Sequence, residues 1–113
     1  MACKVYGYLS DISGNAVENA AVVAELTVKQ QYNDGSSTKI LLPQSISTTT
    51  DENGYWELTL LDNEYMAGGA FYNFIITASG ASDSYTYGKY IPALDDDGAA
   101  VTEAEFSTLT NMG

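Results

Sequence analysis

Alternation of apolar and polar residues is the dominant pattern in this chain, and it predicts β-strands. In the sequence Y-W-E-L-T-L at 55–60, every second residue from Trp56 onward is apolar. Successive side chains of a strand point to opposite faces, so this segment has a core face and a solvent face. The preceding Asp51-Glu52-Asn53-Gly54 predicts a tight turn, because Asx and Gly residues tolerate left-handed backbone angles. We expect Thr48–Leu60 to be a β-hairpin that carries the only Trp into the core.

The same pattern predicts strands along the rest of the chain, at Lys4–Asp11, Asn19–Lys29, Thr38–Leu42, Ser45–Thr50, Phe71–Ser79 and Ser84–Ile91. Thr102–Leu109 is a final strand or a short helical turn. A helix over Ala16–Leu26 is rejected, because β-branched residues occur within this segment and directly after it, and because its charged residues recur at every second position. Seven to nine short strands without a confident helix predict an all-β sandwich. The length of 113 residues fits one domain, 1–113.

Three segments bear on where the sheets end. Gln30–Ser37 is predicted to be a polar loop with Asp34-Gly35 at its tip. Pro43 cannot donate a ladder hydrogen bond, so the preceding segment lies at a sheet edge or a strand end. Phe71–Ser79 is apolar on both faces, which predicts a central strand or a strand whose outer face is covered by a partner.

Several motifs resemble the carboxypeptidase regulatory-like, or transthyretin-like (prealbumin-like), β-sandwich domains. They are Val5-x-Gly7-x-Leu9-x-Asp11, Gly14-Asn15-Ala16-Val17, Asn19-Ala20-x-Val22-x-Ala24 and Thr50-Asp51-x-x-Gly54-x-Trp56-x-Leu58, with Phe74-x-Ile76 and Ile91-Pro92 as weaker extensions. The resemblance implies an immunoglobulin/transthyretin-like sandwich. Ala16 and Asn19 stand where the family commonly has Pro and Gly. The segment between Val28 and Ser45 is longer than in compact members, so the resemblance does not determine the arrangement of the sheet edge.

The resemblance also implies a context. Short stand-alone modules of this type that end in a segment such as Phe106-Ser107-Thr108-Leu109 are similar to small virion-associated proteins of tailed phages, which serve as decoration or tail-appendage modules. The expected location is therefore the virion, assembled in the host cytoplasm. The chain starts with Met-Ala-Cys-Lys and enters a strand pattern at once, so we expect no signal peptide.

Charge narrows the possible partners. The chain has 15 acidic residues, four lysines, and neither arginine nor histidine, for a net charge of −11. Such a surface repels phosphate backbones and anionic lipids, so we expect neither nucleic-acid binding nor membrane insertion. No apolar run approaches the length of a membrane-spanning helix. Cys3 is the only cysteine, which excludes an internal disulfide.

The residue inventory argues against catalysis. Without histidine there is no imidazole base, and without a cysteine pair there is no thiolate zinc site. Gly68-Gly69 lacks the flanking residues of a phosphate-binding loop. Carboxylate pairs at Asp51 and Glu52, or within 95–97, remain as acid–base candidates, but a small sandwich offers little cleft in which to hold a pair at a fixed separation. We expect a protein that is not an enzyme and needs no cofactor.

Two binding features remain. Asp95, Asp96 and Asp97 are the candidate calcium ligands, because clustered oxygen ligands on a loop suit Ca²⁺; the alternative is a solvated acidic loop.

The tyrosines Tyr6, Tyr8, Tyr85, Tyr87 and Tyr90 are candidate interface residues, because tyrosine gives a rigid amphipathic contact surface. Tyrosines also suit half-buried strands and stack on sugars. We therefore expect a structural assembly module, either a virion protein or a fibre or filament subunit that binds protein partners. A carbohydrate-binding or adhesion module is the alternative.

Overall fold

The computed structural model describes residues 2–26, 30–33, 35, 37–66, 70–78 and 84–112. Their strands are β1 (Ala2–Tyr8), β2 (Ala21–Leu26), β3 (Gln30–Asn33), β4 (Thr38–Leu41), β5 (Gln44–Thr49), β6 (Tyr55–Leu61), β7 (Tyr72–Thr77), β8 (Ser84–Tyr90), β9 (Glu103–Glu105) and β10 (Thr110–Asn111). A short 3-10 helix, Phe106–Thr108, joins the last two strands. The all-β prediction is confirmed, although the described residues form ten strands instead of seven to nine.

Two sheets form a sandwich around one core. The smaller has the order β6-β1-β9, and the larger has the order β10-β8-β7-β2-β5. The residues of predicted core parity on β1, β2, β6 and β7 are buried and face one another. Trp56 is 2 % exposed and packs against Phe74 and Phe106, with ring centroids 6.2 and 5.5 Å away. The predicted central position of Trp56 is confirmed.

Gly7 makes room for the indole ring. A Cβ atom at this position would lie 3.0 Å from three atoms of Trp56. The close approach of β1 to the ring therefore depends on a residue without a side chain.

The predicted hairpin at Thr48–Leu60 is wrong, because β5 and β6 belong to different sheets. The turn at Asp51–Gly54 is present, but it carries the chain across the sandwich. Thr50 fixes this crossing: it is buried, its hydroxyl donates to the Val17 carbonyl at 2.6 Å, and it accepts from the Ala20 amide at 2.9 Å. The β2–β5 ladder thus continues to Thr50, and the chain then leaves for the other sheet.

The predicted loop at Gln30–Ser37 is wrong in part, because 30–33 forms β3 and pairs antiparallel with β4. Asp34 at the predicted tip lies outside the described residues. Tyr32 anchors this two-stranded hairpin: it is buried and its hydroxyl donates to the buried Asp62 carboxylate at 2.6 Å. The local sequence is polar, and burial of one tyrosine by distant residues is what makes it a strand.

The prediction that 71–79 is central is confirmed, because β7 lies between β8 and β2. Pro43 lies between β4 and β5, as expected for a residue that ends a strand. Among the described residues, no helix is long and apolar enough to cross a membrane.

Candidate functional site

Tyr6 and Tyr8 lie on the outer face of the smaller sheet, where Tyr55 of β6 joins them. The ring centroid of Tyr55 is 6.2 Å from that of Tyr6 and 5.3 Å from that of Tyr8. The Tyr55 hydroxyl donates to the Glu57 carboxylate at 3.0 Å. Sequence reasoning placed Tyr55 on the solvent face but did not select it. Its cross-strand position opposite Tyr8 is decided by the register of β1 and β6.

Lys4 stands beside this aromatic patch. Its ammonium group lies 3.5 Å from Glu57 and 3.3 Å from Glu103, and the Glu103 hydrogen bond and charge raise the pKa of Lys4. All three side chains are solvent-exposed to a large extent, so these ion pairs contribute little to stability.

The tyrosines of β8 do not form a single cluster. Tyr85 and Tyr87 are opposite Ile76 and Phe74 of β7. Residues directly opposite in an antiparallel pair share a face, so both tyrosines lie on the core-facing side of the larger sheet. Tyr90 has the other parity and lies on the outer side. Tyr85 and Tyr87 stay exposed because the smaller sheet does not cover β8 completely.

The partly covered region contains an aromatic groove. It is about 240 Å³ in volume and is lined by Gly7, Tyr8, Leu9, Trp56, Ile76, Tyr87, Glu105, Phe106 and Ser107. Phe106 contacts Tyr87 edge-on, with centroids 5.7 Å apart. The groove therefore joins one predicted interface tyrosine from each sheet, with the buried indole as its floor and Glu105 at its rim.

Lys89 supports one wall of this groove. It is buried, its ammonium group is 4.7 Å from the centre of the Phe106 ring, and it donates to the Leu109 carbonyl at 3.4 Å. A cation over an aromatic ring is attracted by the ring quadrupole. Lys89 thus holds the 3-10 helix against β8.

Asp95 caps a turn. Its Oδ1 atom accepts hydrogen bonds from the Asp97 and Ala99 amides, each at 2.9 Å, and Gly98 has a φ of 82°. Asp11 and Asp51 make the same turn, each accepting from the amides two and four residues onward. For Asp11, the amide of Asn15 is the main cause of a lowered pKa.

The three matching turns give Asp95 a structural role that needs no ligand. In the described part of the chain, no group of three or more Asp, Glu, Cys or His side chains is placed to hold a metal ion. Calcium binding by Asp95, Asp96 and Asp97 stays a prediction.

The segment Leu26–Thr50, which includes β3, β4 and β5, differs in charge from the rest of the protein. It contains Lys29, Lys39 and one acidic residue, Asp34, so its net charge is +1. Because the whole chain has a net charge of −11, the residues outside this segment have a net charge of −12. Ile40 and Leu42 are 59 % and 66 % exposed, and Ile46 is exposed as well. Sequence reasoning placed the residues before Pro43 at a sheet edge or a strand end, but it did not use the low negative charge of this segment, which the charge distribution along the chain could have revealed.

Comparison with models of known protein families gave no match, and comparison with curated proteins gave none. The class that the fold defines is an all-β sandwich. The resemblance to the carboxypeptidase regulatory-like domains rests on the motifs quoted above.

Proposed function

We propose that this protein is a non-catalytic structural module that assembles with copies of itself through the segment Leu26–Thr50. The observation that carries the proposal is the combination of exposed Ile40 and Leu42 with a net charge of +1 in a protein of net charge −11. Like-charge repulsion opposes contact between most surfaces of two copies. This segment is where two copies approach with least repulsion and bury the most exposed aliphatic surface.

The strand arrangement supports the same role. Among the described strands, β4 pairs with β3 alone and β5 with β2 alone, so each has a free edge. Natural proteins commonly protect long edges with charge, and free edges otherwise pair with other chains. In β4 and β5 the only charged residue is Lys39.

The resemblance seen in the sequence suggests the setting: a virion, as a capsid decoration or tail-appendage protein, or a fibre or filament. Partners in that setting are further copies or other subunits. A non-catalytic role agrees with a residue inventory that lacks histidine and arginine.

Light scattering over a range of protein concentrations, with negative-stain images of the same fractions, tests assembly. The informative variant is Leu42→Glu, and its matched control is Ile12→Glu. Both add one negative charge at an exposed aliphatic residue, but Ile12 lies in the Asp11–Asn15 turn. We expect oligomers for the wild type and the control and a smaller mass for Leu42→Glu. A monomeric wild type at every concentration would reject the proposed function.

A carbohydrate-binding or adhesion module is the second candidate, and the aromatic groove favours it. Tyr87 and Phe106 offer ring faces and edges, and Glu105 and Ser107 offer hydrogen-bonding groups. Trp56 at the floor is the only tryptophan, so its fluorescence reports on the groove. Titration with a panel of saccharides tests this function: a saturable fluorescence change by a monomer, abolished in Tyr87→Ala, would favour it over assembly. Tyr6→Ala is the control, because Tyr6 does not line the groove.

A further inference from the structure

The free edge of β5 (Gln44–Thr49) differs from the other edges of the two sheets in the described part of the chain. The edge strands of the smaller sheet, β6 and β9, carry Glu57, Glu103 and Glu105, and β10, at the far edge of the larger sheet, has only two residues. In contrast, β5 has six residues and no charged side chain. Natural sheets commonly protect such an edge with charge, because its unpaired backbone groups otherwise bind another strand. The β5 edge lacks this protection.

The backbone groups of every second residue of β5 point toward this edge. The Thr50 amide donates to the Ala20 carbonyl at 3.0 Å, so these two residues form a hydrogen-bonded pair that continues the β2–β5 ladder. Hydrogen-bonded and non-hydrogen-bonded pairs alternate along an antiparallel ladder. The N–H and C=O groups of Ser45, Ser47 and Thr49 therefore point away from β2, toward the free edge.

Ile46 has the opposite parity, and its side chain is only partly covered. It is paired with the buried Ala24 of β2, so it lies on the core-facing side of the larger sheet. It is nevertheless 40 % exposed, which shows that the smaller sheet does not cover β5 completely. An apolar depression of about 170 Å³ lies beside it and is lined in part by Leu26, Leu41 and Leu61. A strand added at this edge would therefore bury apolar surface as well as pair backbone groups.

We infer that β5 of one copy pairs antiparallel with β5 of a second copy about a two-fold axis, with the two Ile46 side chains directly opposite each other. This inference rests on the proposed function and names the edge, the register and the symmetry of the contact. In this register, Ser45 of one copy lies opposite Ser47 of the partner copy, and such a pair exchanges both backbone hydrogen bonds. The two five-stranded sheets become one continuous sheet. The contact is isologous, so it closes as a dimer.

The sequence of β5 favours a second copy as the occupant of its edge. Two identical strands that pair antiparallel present the same residues to each other, so one uncharged edge suits another. The register centred on Ile46 places the exposed apolar side chains of the two copies against each other. The next register, centred on Ser47, would instead place Ile46 opposite the hydroxyl-bearing Thr48.

Electrostatic repulsion between the copies is weak at this edge. The acidic residue of the neighbouring strand is Glu25, which is paired with Ser45. In the dimer, Glu25 of one copy is separated from Glu25 of the partner copy by three strand spacings, or roughly 14 Å. This distance exceeds the Debye length of about 8 Å at physiological ionic strength, so the two charges are largely screened.

Cysteine substitutions in the full-length protein test the register, because a disulfide requires Cα atoms within roughly 7 Å of each other. Opposite residues of a non-hydrogen-bonded pair meet this limit, at about 4.5 Å. Ile46→Cys should therefore form a disulfide-linked dimer under mild oxidation, visible on a non-reducing gel. Gln44→Cys and Thr48→Cys should not cross-link separately but should cross-link in an equimolar mixture, since these two positions are opposite each other. The wild type is the control for Cys3, which is buried.

Charged variants test the same contact without cysteine chemistry. Ile46→Lys and Ile46→Glu each place like charges opposite each other, so each should need at least a roughly tenfold higher concentration to associate in light scattering. An equimolar mixture should associate at a lower concentration than either variant alone, because the opposed charges then differ in sign. Ile12→Lys and Ile12→Glu are the matched controls, because Ile12 is exposed and lies outside β5, and they should assemble as the wild type does. Circular dichroism checks that all variants are folded.

Two results overturn the inference while leaving the proposed function intact. One is a wild type that forms oligomers together with an Ile46→Cys variant that yields no disulfide-linked dimer. The other is equal cross-linking of Gln44→Cys, Ile46→Cys and Thr48→Cys, each alone, because random collisions would give that result. A wild type that stays monomeric at every concentration overturns the inference together with the proposed function.

Discussion

The three Asp-capped turns allow the stability cost of replacing a glycine by alanine to be separated into backbone strain and steric overlap. Gly14, Gly54 and Gly98 occupy the same position in the three turns, with φ of 87°, 76° and 82°. An L-residue in this left-handed region costs roughly 1–2 kcal/mol. A Cβ atom on Gly14 or Gly98 would meet nothing within 4 Å, whereas a Cβ atom on Gly54 would overlap the carbonyl oxygen of Leu9.

The overlap at Gly54 adds a second cost. The Leu9 amide donates to the Gly54 carbonyl at 2.8 Å, so β1 and the Asp51 turn must move apart to admit a methyl group. Loss of a hydrogen bond that leaves buried groups unpaired costs roughly 1–3 kcal/mol. We therefore expect Gly54→Ala to lower the free energy of unfolding by roughly 2–5 kcal/mol, and Gly14→Ala and Gly98→Ala by roughly 1–2 kcal/mol each.

Urea unfolding followed by Trp56 fluorescence measures these differences, since the indole is buried in the folded state. Gly14→Ala and Gly98→Ala serve as controls for the backbone strain alone. Equal losses in all three variants, within about 0.5 kcal/mol, would refute the claim that contact with Leu9 distinguishes the second turn.

Two further predictions concern Asp95 and Tyr72. Asp95→Ala should lower the free energy of unfolding by about 1 kcal/mol, equally with calcium and with a chelator, because its carboxylate caps a turn; Asp96→Ala and Asp97→Ala are the controls. A calcium-dependent rise in melting temperature that these controls abolish would instead show metal binding. Burial, followed by the negative charge of Asp62, raises the pKa of Tyr72 above its ordinary value of 10.0. The folded state therefore favours the neutral phenol, so the contribution of Tyr72 to stability should be constant below about pH 10 and fall above it, and Tyr72→Phe should reduce the loss of stability above about pH 10. An unchanged pH profile in Tyr72→Phe would contradict this assignment.

Much of the fold could be predicted because strand parity and turn chemistry are local. The alternation around Trp56 and Phe74 identified the buried faces, and Asp51–Gly54 was recognised as a turn. The strand at 30–33 could not be predicted, because its burial depends on Asp62, a residue about thirty positions away in the sequence.

Less of the candidate site could be predicted. Tyr6 and Tyr8 were placed correctly on an outer face, but Tyr85 and Tyr87 lie on the core-facing side of their sheet. Parity separates the two faces of a strand without saying how far the opposite sheet extends over either one. The groove exists because the smaller sheet stops short of β8 and Phe106 covers part of the gap.

The sequence by itself determined that this protein is an all-β sandwich with buried Trp56, a glycine-containing turn at Asp51–Gly54 and an acidic surface. These properties depend on residue type and on neighbours within a few positions. Only the tertiary structure decided that β5 and β6 belong to different sheets, and that residues of both sheets line the aromatic groove. The physical reason is that a turn fixes a local reversal of the chain, whereas long-range hydrogen bonds, such as those of Thr50 with Val17 and Ala20, decide which layer each strand joins.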